Sequence, residues 1–177
     1  MTTHQPVLLE EVISGLHLAV GETLIDATVN NGGHSRALCG FLGSTGTLLG
    51  IDQDKGALTR AKKNLQICPG TVKLVHGNFR QLAKLATGQK IKKADVVLFD
   101  LGLSSEQLGE ATRGFSFQHD GPLKMTLDPE AGKEAVTAYD VVNDWSEEHL
   151  ADIIRGFGEE SFADRIAERV VATRKFQ

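Results

Sequence analysis

DATVNNGGHSRAL, the stretch from Asp26 to Leu38, has the pattern of a strand that enters a glycine turn and continues as a helix. The apolar run Thr23–Val29 predicts the strand, and GHSRALCGFL after the turn predicts the helix. Such a turn can cradle the phosphates of a dinucleotide, hold the amino-acid end of another cofactor, or serve only as a turn. The choice among these three depends on the residues around it.

Strands and helices alternate along the first hundred residues. Three further strands are predicted, namely GTLLGID (Gly46–Asp52), TVKLVHG (Thr71–Gly77) and ADVVLFD (Ala94–Asp100). Helical segments separate them, so the pattern predicts an α/β fold with a parallel sheet of right-handed crossover units. The fourth strand is apolar on successive residues, and we expect both of its faces to be buried.

The pattern changes after the fourth strand, and we divide the chain into three parts. Residues 1–105 form the core, residues 106–132 form a long polar loop that we expect to be functional or mobile, and residues 133–177 begin a helical segment. Helical patterns in this last part cover about Lys133–Asn143, Ser146–Phe157 and Glu159 to the end. Ser146 and the acidic residues after it mark a helix start.

Composition excludes several classes of protein. Of the 177 residues, 41% are hydrophobic, which is enough for a core, and no apolar run is long enough to span a membrane. The N-terminus lacks the pattern of a signal peptide. The formal net charge of −4 argues against a general nucleic-acid binder, which neutralises phosphates with lysine and arginine. We expect a cytoplasmic protein in which Cys39 and Cys68 are buried free thiols.

Residues with binding chemistry follow each predicted strand, at the edge where open parallel sheets bind ligands. Gly32 and Gly33 allow a ligand to approach the backbone and can take positive φ, which asparagine also tolerates. Asp52 follows Gly32 by twenty residues, a spacing that suits a carboxylate accepting hydrogen bonds from both ribose hydroxyls. Phe79 can pack on an adenine face, and Asp100 adds a second acid.

Each of these residues also has a purely structural interpretation. A pair of glycines is most often only a turn, Asp52 can cap the next helix, Phe79 can fill the core, and Asp100 can cap a turn. Their order along one sheet edge favours an adenosine-containing cofactor. The turn is not GxGxxG, which speaks against a nicotinamide cofactor, whereas S-adenosylmethionine has no phosphates to bind. We favour S-adenosylmethionine and keep a nicotinamide oxidoreductase as an alternative.

Six motifs are distributed along the whole chain, in the order HQPVLLEEV, DATVNNGGHSRAL, GIDQD, FDLGLSSEQL, RGFSFQHDGPLKM and FGEESFADRIAERVV. Together they resemble the bacterial RsmH (MraW) family, for which GGHS, DLGxSS and RGFSFxxDGPL are distinctive. The resemblance implies a Rossmann-like S-adenosylmethionine-dependent methyltransferase sheet. The chain would hold its first four parallel strands and the beginning of a helical insertion domain.

The resemblance also implies which residues form the cofactor pocket. They are Gly32, Gly33 and His34 at the methionine end, Asp52 at the ribose, Phe79 near the adenine, and Asp100 and Gln107 completing the pocket. His34 and Gln107 rest on the resemblance alone. No metal site is implied, since the histidines are scattered without metal-ligand spacing. Asp100 and the hydroxyls of Ser104 and Ser105 can accept hydrogen bonds from a substrate amine, but no general base is assigned.

The chain departs from the family pattern in three places. In the first turn, usually DGTFGxGGHS, Ala27, Val29 and Asn30 replace glycine, phenylalanine and glycine. In the loop, usually DGPLDMRM, Lys124 and Thr126 replace aspartate and arginine, which bears on substrate handling. The family's later strands and the motif around FHSLEDR are absent. We therefore expect a fragment whose fourth strand is an exposed hydrophobic edge, marginally stable and prone to self-association.

The predicted function is methylation of the N4 amine of a cytidine in small-subunit (16S) ribosomal RNA. S-adenosylmethionine would be the donor, and the RNA or the small ribosomal subunit the partner. The alternative is a truncated, catalytically inactive fragment of the same family that binds cofactor or makes protein contacts. The target base has to be turned out to reach such a pocket, and the loop residues Arg113, Phe115 and Phe117 are candidates to stack and guide it. Core-filling by the two phenylalanines is an equal alternative.

Overall fold

The computed structural model describes residues 6–130, 132 and 135–174. Its helices are α1 (Leu9–Leu16), α2 (Gly33–Leu42), α3 (Lys55–Asn64), α4 (Leu82–Gly88), α5 (Ser105–Gly109), α6 (Ala138–Asp144), α7 (Glu147–Gly158) and α8 (Ala163–Arg174). Its strands are β1 (Thr23–Asp26), β2 (Thr47–Asp52), β3 (Thr71–His76) and β4 (Val96–Leu98). Short 3₁₀ helices cover Leu65–Ile67, Phe79–Gln81 and Ala111–Arg113.

The chain divides into two compact units, Met1–Gly102 and Leu103–Gln177. All four strands belong to the first unit, and α5 to α8 belong to the second. The functional division at residues 105 and 132 remains a prediction.

The first unit contains a four-stranded parallel sheet in the order β3-β2-β1-β4. Helices connect the strands, which confirms the predicted Rossmann-like α/β fold. The chain adds β2 and β3 on one side of β1 and then places β4 on the other side. Strand order therefore reverses between β1 and β4, and open α/β sheets bind ligands at the carboxyl ends of the strands beside such a point.

The core lies on both faces of the sheet because neighbouring residues of a strand point to opposite sides. Leu24 and Leu48 pack with residues of α2 and α3. The next residues, Ile25 and Leu49, pack on the other face with Ala86 of α4. These four strand residues are at most 2% exposed, so the two central strands are buried on both faces as parallel strands require.

The fourth strand is less buried than its apolar sequence predicts. Val97 is 40% exposed and Phe99 is 48% exposed, so the expectation that both faces are buried was wrong. The physical reason is that β4 lies at the end of the sheet and pairs only with β1 in the described part of the chain. The expected hydrophobic edge is confirmed.

The two cysteines form a disulfide between Cys39 and Cys68, so the prediction of free thiols was wrong. Cys39 lies on α2, and Cys68 follows the 3₁₀ helix after α3, with the two Cα atoms 5.5 Å apart. Both residues pack in the same hydrophobic cluster beside the sheet. The two cysteines are 29 residues apart in the sequence, and no local pattern shows that the segments carrying them lie together.

The second unit contains the predicted helices with shifted bounds. The first was expected from about Lys133, which lies outside the described residues, and α6 begins at Ala138. The expected start at Ser146 is confirmed, since its hydroxyl accepts a hydrogen bond from the backbone N–H of His149 at 3.2 Å. The last helix starts at Ala163, later than expected. Among the described helices, none has the length and apolar composition needed to cross a bilayer.

Candidate cofactor site

The glycine turn between β1 and α2 depends on backbone conformations that few residues adopt. Asn30 has φ 44° and Gly32 has φ 81°. Gly32 can adopt this angle because it has no β-carbon, and asparagine tolerates it better than most residues. The expectation that this turn takes positive φ is confirmed, and Asn30 is compatible with it.

Gly33 is required for a different reason, which is the close packing of the N-terminal segment. A β-carbon built on Gly33 would lie 2.7 Å from Cγ of Pro6. The carbonyl of Val7 lies 2.9 Å from Nε2 of His34, so two residues of the segment contact the start of α2. The motif containing Pro6 and Val7 thus supports the turn from outside the sheet.

We expect Gly33→Ala to lower the free energy of unfolding by about 2 kcal/mol, because the added methyl group overpacks the Pro6 contact. Gly40→Ala is the matched control on the same helix, since a β-carbon there meets nothing within 4 Å. The control should stabilise the chain by about 0.5 kcal/mol, as alanine is the better helix former. Urea denaturation of both variants measures the difference, and equal stabilities would contradict this account of Gly33.

The N-terminus of α2 presents backbone N–H groups that no side chain caps. Its N-cap is Gly32, which has no side chain to accept a hydrogen bond. The first N–H groups of a helix lack intrahelical acceptors, and together with the helix dipole they favour a negatively charged group. The turn therefore leaves a place for a carboxylate.

Asp52 connects the end of β2 to the glycine turn. Its Oδ2 accepts the backbone N–H of Asn30 at 2.8 Å, and its Oδ1 accepts that of Asp54 at 2.9 Å. The backbone N–H of Gln53 also donates to this carboxylate, which still has lone-pair capacity for a hydrogen bond from a ligand. Burial raises the pKa of the Asp52 carboxyl, and these backbone hydrogen bonds partly offset the effect.

The helix cap that we considered for Asp52 is made by Asp54 instead. Oδ1 of Asp54 accepts the backbone N–H groups of Gly56 and Ala57 at 2.7 and 3.2 Å, at the start of α3. Asp52 is thus not the N-cap of this helix, so helix capping does not explain its position beside the turn.

Phe79 follows β3 and meets an aromatic residue from the opposite edge of the sheet. Its ring lies edge-on to that of Phe99, with the centroids 5.7 Å apart and the planes at 86°. Phe79 is half-buried and Phe99 is 48% exposed. The two rings belong to the segments that follow the two outermost strands, so their contact crosses the carboxyl edge of the sheet.

His34 and Asp100 lie close together at the same edge. Nδ1 of His34 is 3.5 Å from Oδ2 of Asp100. A carbonyl only accepts hydrogen bonds, so the Nε2 that faces Val7 carries a proton, and Nδ1 faces the carboxylate. The His34 side chain is 8% exposed and that of Asp100 is 52% exposed. Asp100 therefore has a solvent-accessible carboxylate.

Gln107 lies in the second unit, where it forms a capping box with Ser104. Its Oε1 accepts the backbone N–H of Ser104 at 2.9 Å, and its own N–H donates to the Ser104 hydroxyl at 3.1 Å. The Ser104 hydroxyl, considered above as a hydrogen-bond acceptor for the substrate, thus caps α5. The nitrogen of the Gln107 side chain is not part of this capping box.

Arg113 does not have the exposed position that an RNA-guiding residue needs. It is 5% exposed, and its Nη2 donates to the carbonyls of Thr126 and Leu127 at 3.1 and 2.6 Å. Arg113 therefore fixes the loop, and a role in guiding RNA would require it to leave this buried position. Phe117 is fully exposed and Phe115 is partly buried, so only Phe117 is free of the core.

The first unit brings six of the seven predicted residues to the carboxyl edge of the sheet; these are Gly32, Gly33, His34, Asp52, Phe79 and Asp100. Three further residues at this edge were not predicted: Thr28 contacts Asp100, Phe99 contacts Phe79, and Ser35 contacts Asp26. The available signals were a hydroxyl two residues after a strand-end aspartate, a serine in the first helical turn, and an aromatic residue just before Asp100.

Comparison with known proteins gives consistent matches over the whole chain. A model of the MraW methylase family matches residues 1–177. The chain is 46% identical to the ribosomal RNA small subunit methyltransferase H of Thermomicrobium roseum, over 99% of this chain and 53% of that protein. It is 45% identical to the protein of the same name from Syntrophus aciditrophicus, over 97% and 54% respectively.

The chain spans about half the length of the curated relatives it matches. Among solved structures, an rRNA methylase from Streptococcus thermophilus shares 18% identity with a TM-score of 0.43, over 58% of this chain and 57% of that one. This likeness is too loose to bear on function.

Proposed function

The chain belongs to the MraW methylase family, and on that premise we propose that the carboxyl edge of its sheet binds S-adenosylmethionine. The observation that best supports this is the position of Asp52. Its two oxygens accept hydrogen bonds from Asn30 of the glycine turn and from Asp54 at the start of α3, and the carboxylate keeps lone-pair capacity for a ligand.

The residues fit the parts of this cofactor in order. The methionine carboxylate would lie at the uncapped N-terminus of α2, next to Gly32 and Gly33. The ribose hydroxyls would donate to Asp52. The remaining predicted residues of the first unit, His34, Phe79 and Asp100, complete the proposed pocket.

Phe79→Leu is expected to weaken the binding of S-adenosylhomocysteine about fivefold, because leucine retains apolar contact but offers no ring face to the adenine. Phe41→Leu is the matched control, since Phe41 lies on α2 in the same unit and is 48% exposed. Isothermal titration of both variants gives the comparison. Equal affinities for the two variants would show that Phe79 does not contact the adenine.

We propose that the chain takes part in methylation of the N4 amine of a cytidine in small-subunit (16S) ribosomal RNA. When bound, the cofactor supplies an electrophilic methyl group on a sulfonium. The cytosine nitrogen would take this methyl group as the S–C bond breaks, and the amine would lose its proton to bulk water. This chain's residues would position the two partners, which can supply much of the rate. The exposed carboxylate of Asp100 is the candidate hydrogen-bond acceptor for the amine.

Methyl transfer from labelled S-adenosylmethionine to small ribosomal subunits and to free 16S RNA tests this proposal. Nucleoside analysis by mass spectrometry should show N4-methylcytidine. A methyl group on another atom would contradict the proposed specificity. Cofactor binding without any transfer would favour the alternative, in which this chain is a noncatalytic cofactor-binding or interaction fragment.

The proposed partners and location follow from the same activity. Such an RNA substrate would place the protein with the small ribosomal subunit in the cytoplasm. The exposed edge of β4, with Val97 and Phe99, is a surface through which the chain can self-associate, and sedimentation velocity at increasing concentration would detect it.

A further inference from the structure

A side-chain hydroxyl continues the link between β1 and β4 beyond their backbone pairing. The last backbone hydrogen bond there runs from the N–H of Ala27 to the carbonyl of Leu98, at 2.9 Å. Two residues after Leu98, the N–H of Asp100 donates to Oγ1 of Thr28 at 2.7 Å. Because β1 has already turned toward the glycines at this point, the hydroxyl oxygen serves as the acceptor for this N–H.

Thr28 is itself held in place by a buried carboxylate. Its backbone N–H donates to Oδ1 of Asp26 at 3.2 Å. The other oxygen of Asp26 accepts the hydroxyl of Ser35 at 2.6 Å. Asp26 is 2% exposed and Ser35 is fully buried. One carboxylate therefore fixes both Thr28 and the first turn of α2.

The side chain of Asp100 completes a closed loop of contacts that returns to α2. Its Oδ2 lies 3.5 Å from Nδ1 of His34, which directly precedes Ser35 in α2. We call the five residues Asp26, Thr28, His34, Ser35 and Asp100 the Thr28 network. The network contacts Asp100 at its backbone and at its carboxylate, so both are placed relative to the glycine turn.

We propose that Thr28 is a positioning residue, whose hydroxyl holds the backbone of Asp100 so that the carboxylate faces a cofactor at the glycine turn. This inference rests on the proposed function, in which that edge binds S-adenosylmethionine. Thr28 needs no contact with the ligand. Removing its oxygen alone should release Asp100 while leaving the volume of the side chain in place.

Titration of three variants of the full chain with S-adenosylhomocysteine tests the inference. Thr28→Val keeps the branched shape but cannot accept the N–H of Asp100, and we expect about tenfold weaker binding. Thr28→Ser restores the acceptor and should bind within about twofold of the wild type. Thr87→Val is the matched control on α4, where the threonine hydroxyl only donates to the carbonyl of Ala83 at 2.8 Å.

Amide hydrogen exchange of Asp100 relative to that of the core amides of β1, followed by NMR without ligand, gives a second readout, because a general loss of stability would speed both. Exchange at Asp100 should be slow in the wild type and in Thr28→Ser, and about tenfold faster in Thr28→Val. Thr28→Ala also lacks the acceptor and should behave as Thr28→Val does. It replaces the valine variant in the test if valine impairs folding.

The outcomes separate this inference from the proposed function. Equal affinities for the wild type and Thr28→Val, failure of serine to rescue, or fast exchange of Asp100 in the wild type would each overturn the inference alone. A folded wild-type chain that binds no S-adenosylhomocysteine would overturn the proposed function, and the inference with it.

Discussion

Replacing Asp52 with alanine is expected to weaken the binding of S-adenosylhomocysteine by about 100-fold. The carboxylate would accept hydrogen bonds from two ribose hydroxyls, and hydrogen bonds to a charged group contribute about 1.5 kcal/mol or more each. Two of them correspond to roughly a 100-fold change in affinity. The substitution also removes the acceptor for the N–H of Asn30, which loosens the glycine turn and acts in the same direction.

Asp54→Asn is the control for this experiment, because asparagine caps a helix as well as aspartate does and the backbone N–H that contacts Asp52 is retained. Its affinity should stay close to that of the wild type. Isothermal titration measures both variants under the same conditions. An Asp52→Ala chain that is folded and binds the ligand as tightly as the wild type would disprove the assignment of Asp52 to the ribose.

Asp26→Asn is expected to increase the free energy of unfolding by about 3 kcal/mol at pH 7.5, with little change at pH 4. Burial raises the pKa of the Asp26 carboxyl from 3.8 to about 6, against the smaller opposing effects of hydrogen bonds from Ser35 and Thr28. The difference between these two pKa values corresponds to about 3 kcal/mol.

The direction of this effect follows from proton binding in the two states. Below pH 3.8 the carboxyl is protonated in both the folded and the unfolded chain, and the stability it contributes is fully present. Between pH 3.8 and 6 the folded chain holds the proton more tightly. As the pH rises through 6, that stability is lost because the buried group must ionise. Asparagine stays neutral throughout and can donate to the Ser35 hydroxyl in place of accepting from it.

Urea denaturation of the wild type and Asp26→Asn at both pH values provides the comparison. Asp95→Asn serves as a control of opposite sign. The exposed Asp95 accepts the N–H of Thr23 and contacts Lys93, and these interactions lower its pKa. Its contribution to stability is therefore present at neutral pH and lost as the pH falls. An Asp26→Asn chain whose stability relative to the wild type does not change with pH would refute the account of Asp26.

The sheet was predictable because its information is local. Leu24 and Ile25 show that a parallel strand is buried on both faces, and each strand and each following helix lie within a short segment of the sequence. The same local rules placed Asp52 and Phe79 at strand ends. Local rules left open whether Asp52 caps a helix. In the structure Asp54, and not Asp52, is the N-cap of α3.

The features that were missed depend on contacts between distant segments. Phe79 and Phe99 follow strands at opposite edges of the sheet, so no periodicity relates them. The disulfide of Cys39 requires α2 to pack beside the segment after α3. Arg113 is buried because it contacts carbonyls of the same loop more than ten residues later, which its charge did not suggest.

Helix starts in the second unit were predictable where a cap was considered. Ser146 was identified as a start and caps α7. The start of α6 was placed too early, because the capping box of Thr137 and Asp140 was overlooked in favour of the apolar pattern.

The central claim is that the glycine turn and Asp52 form a site for an S-adenosylmethionine-type cofactor. Isothermal titration of the purified chain with S-adenosylhomocysteine tests this claim most directly. A nicotinamide dinucleotide is titrated in parallel. We predict saturable binding of S-adenosylhomocysteine at one site per chain and no binding of the dinucleotide. A folded chain that binds only the dinucleotide, or neither ligand, would contradict it.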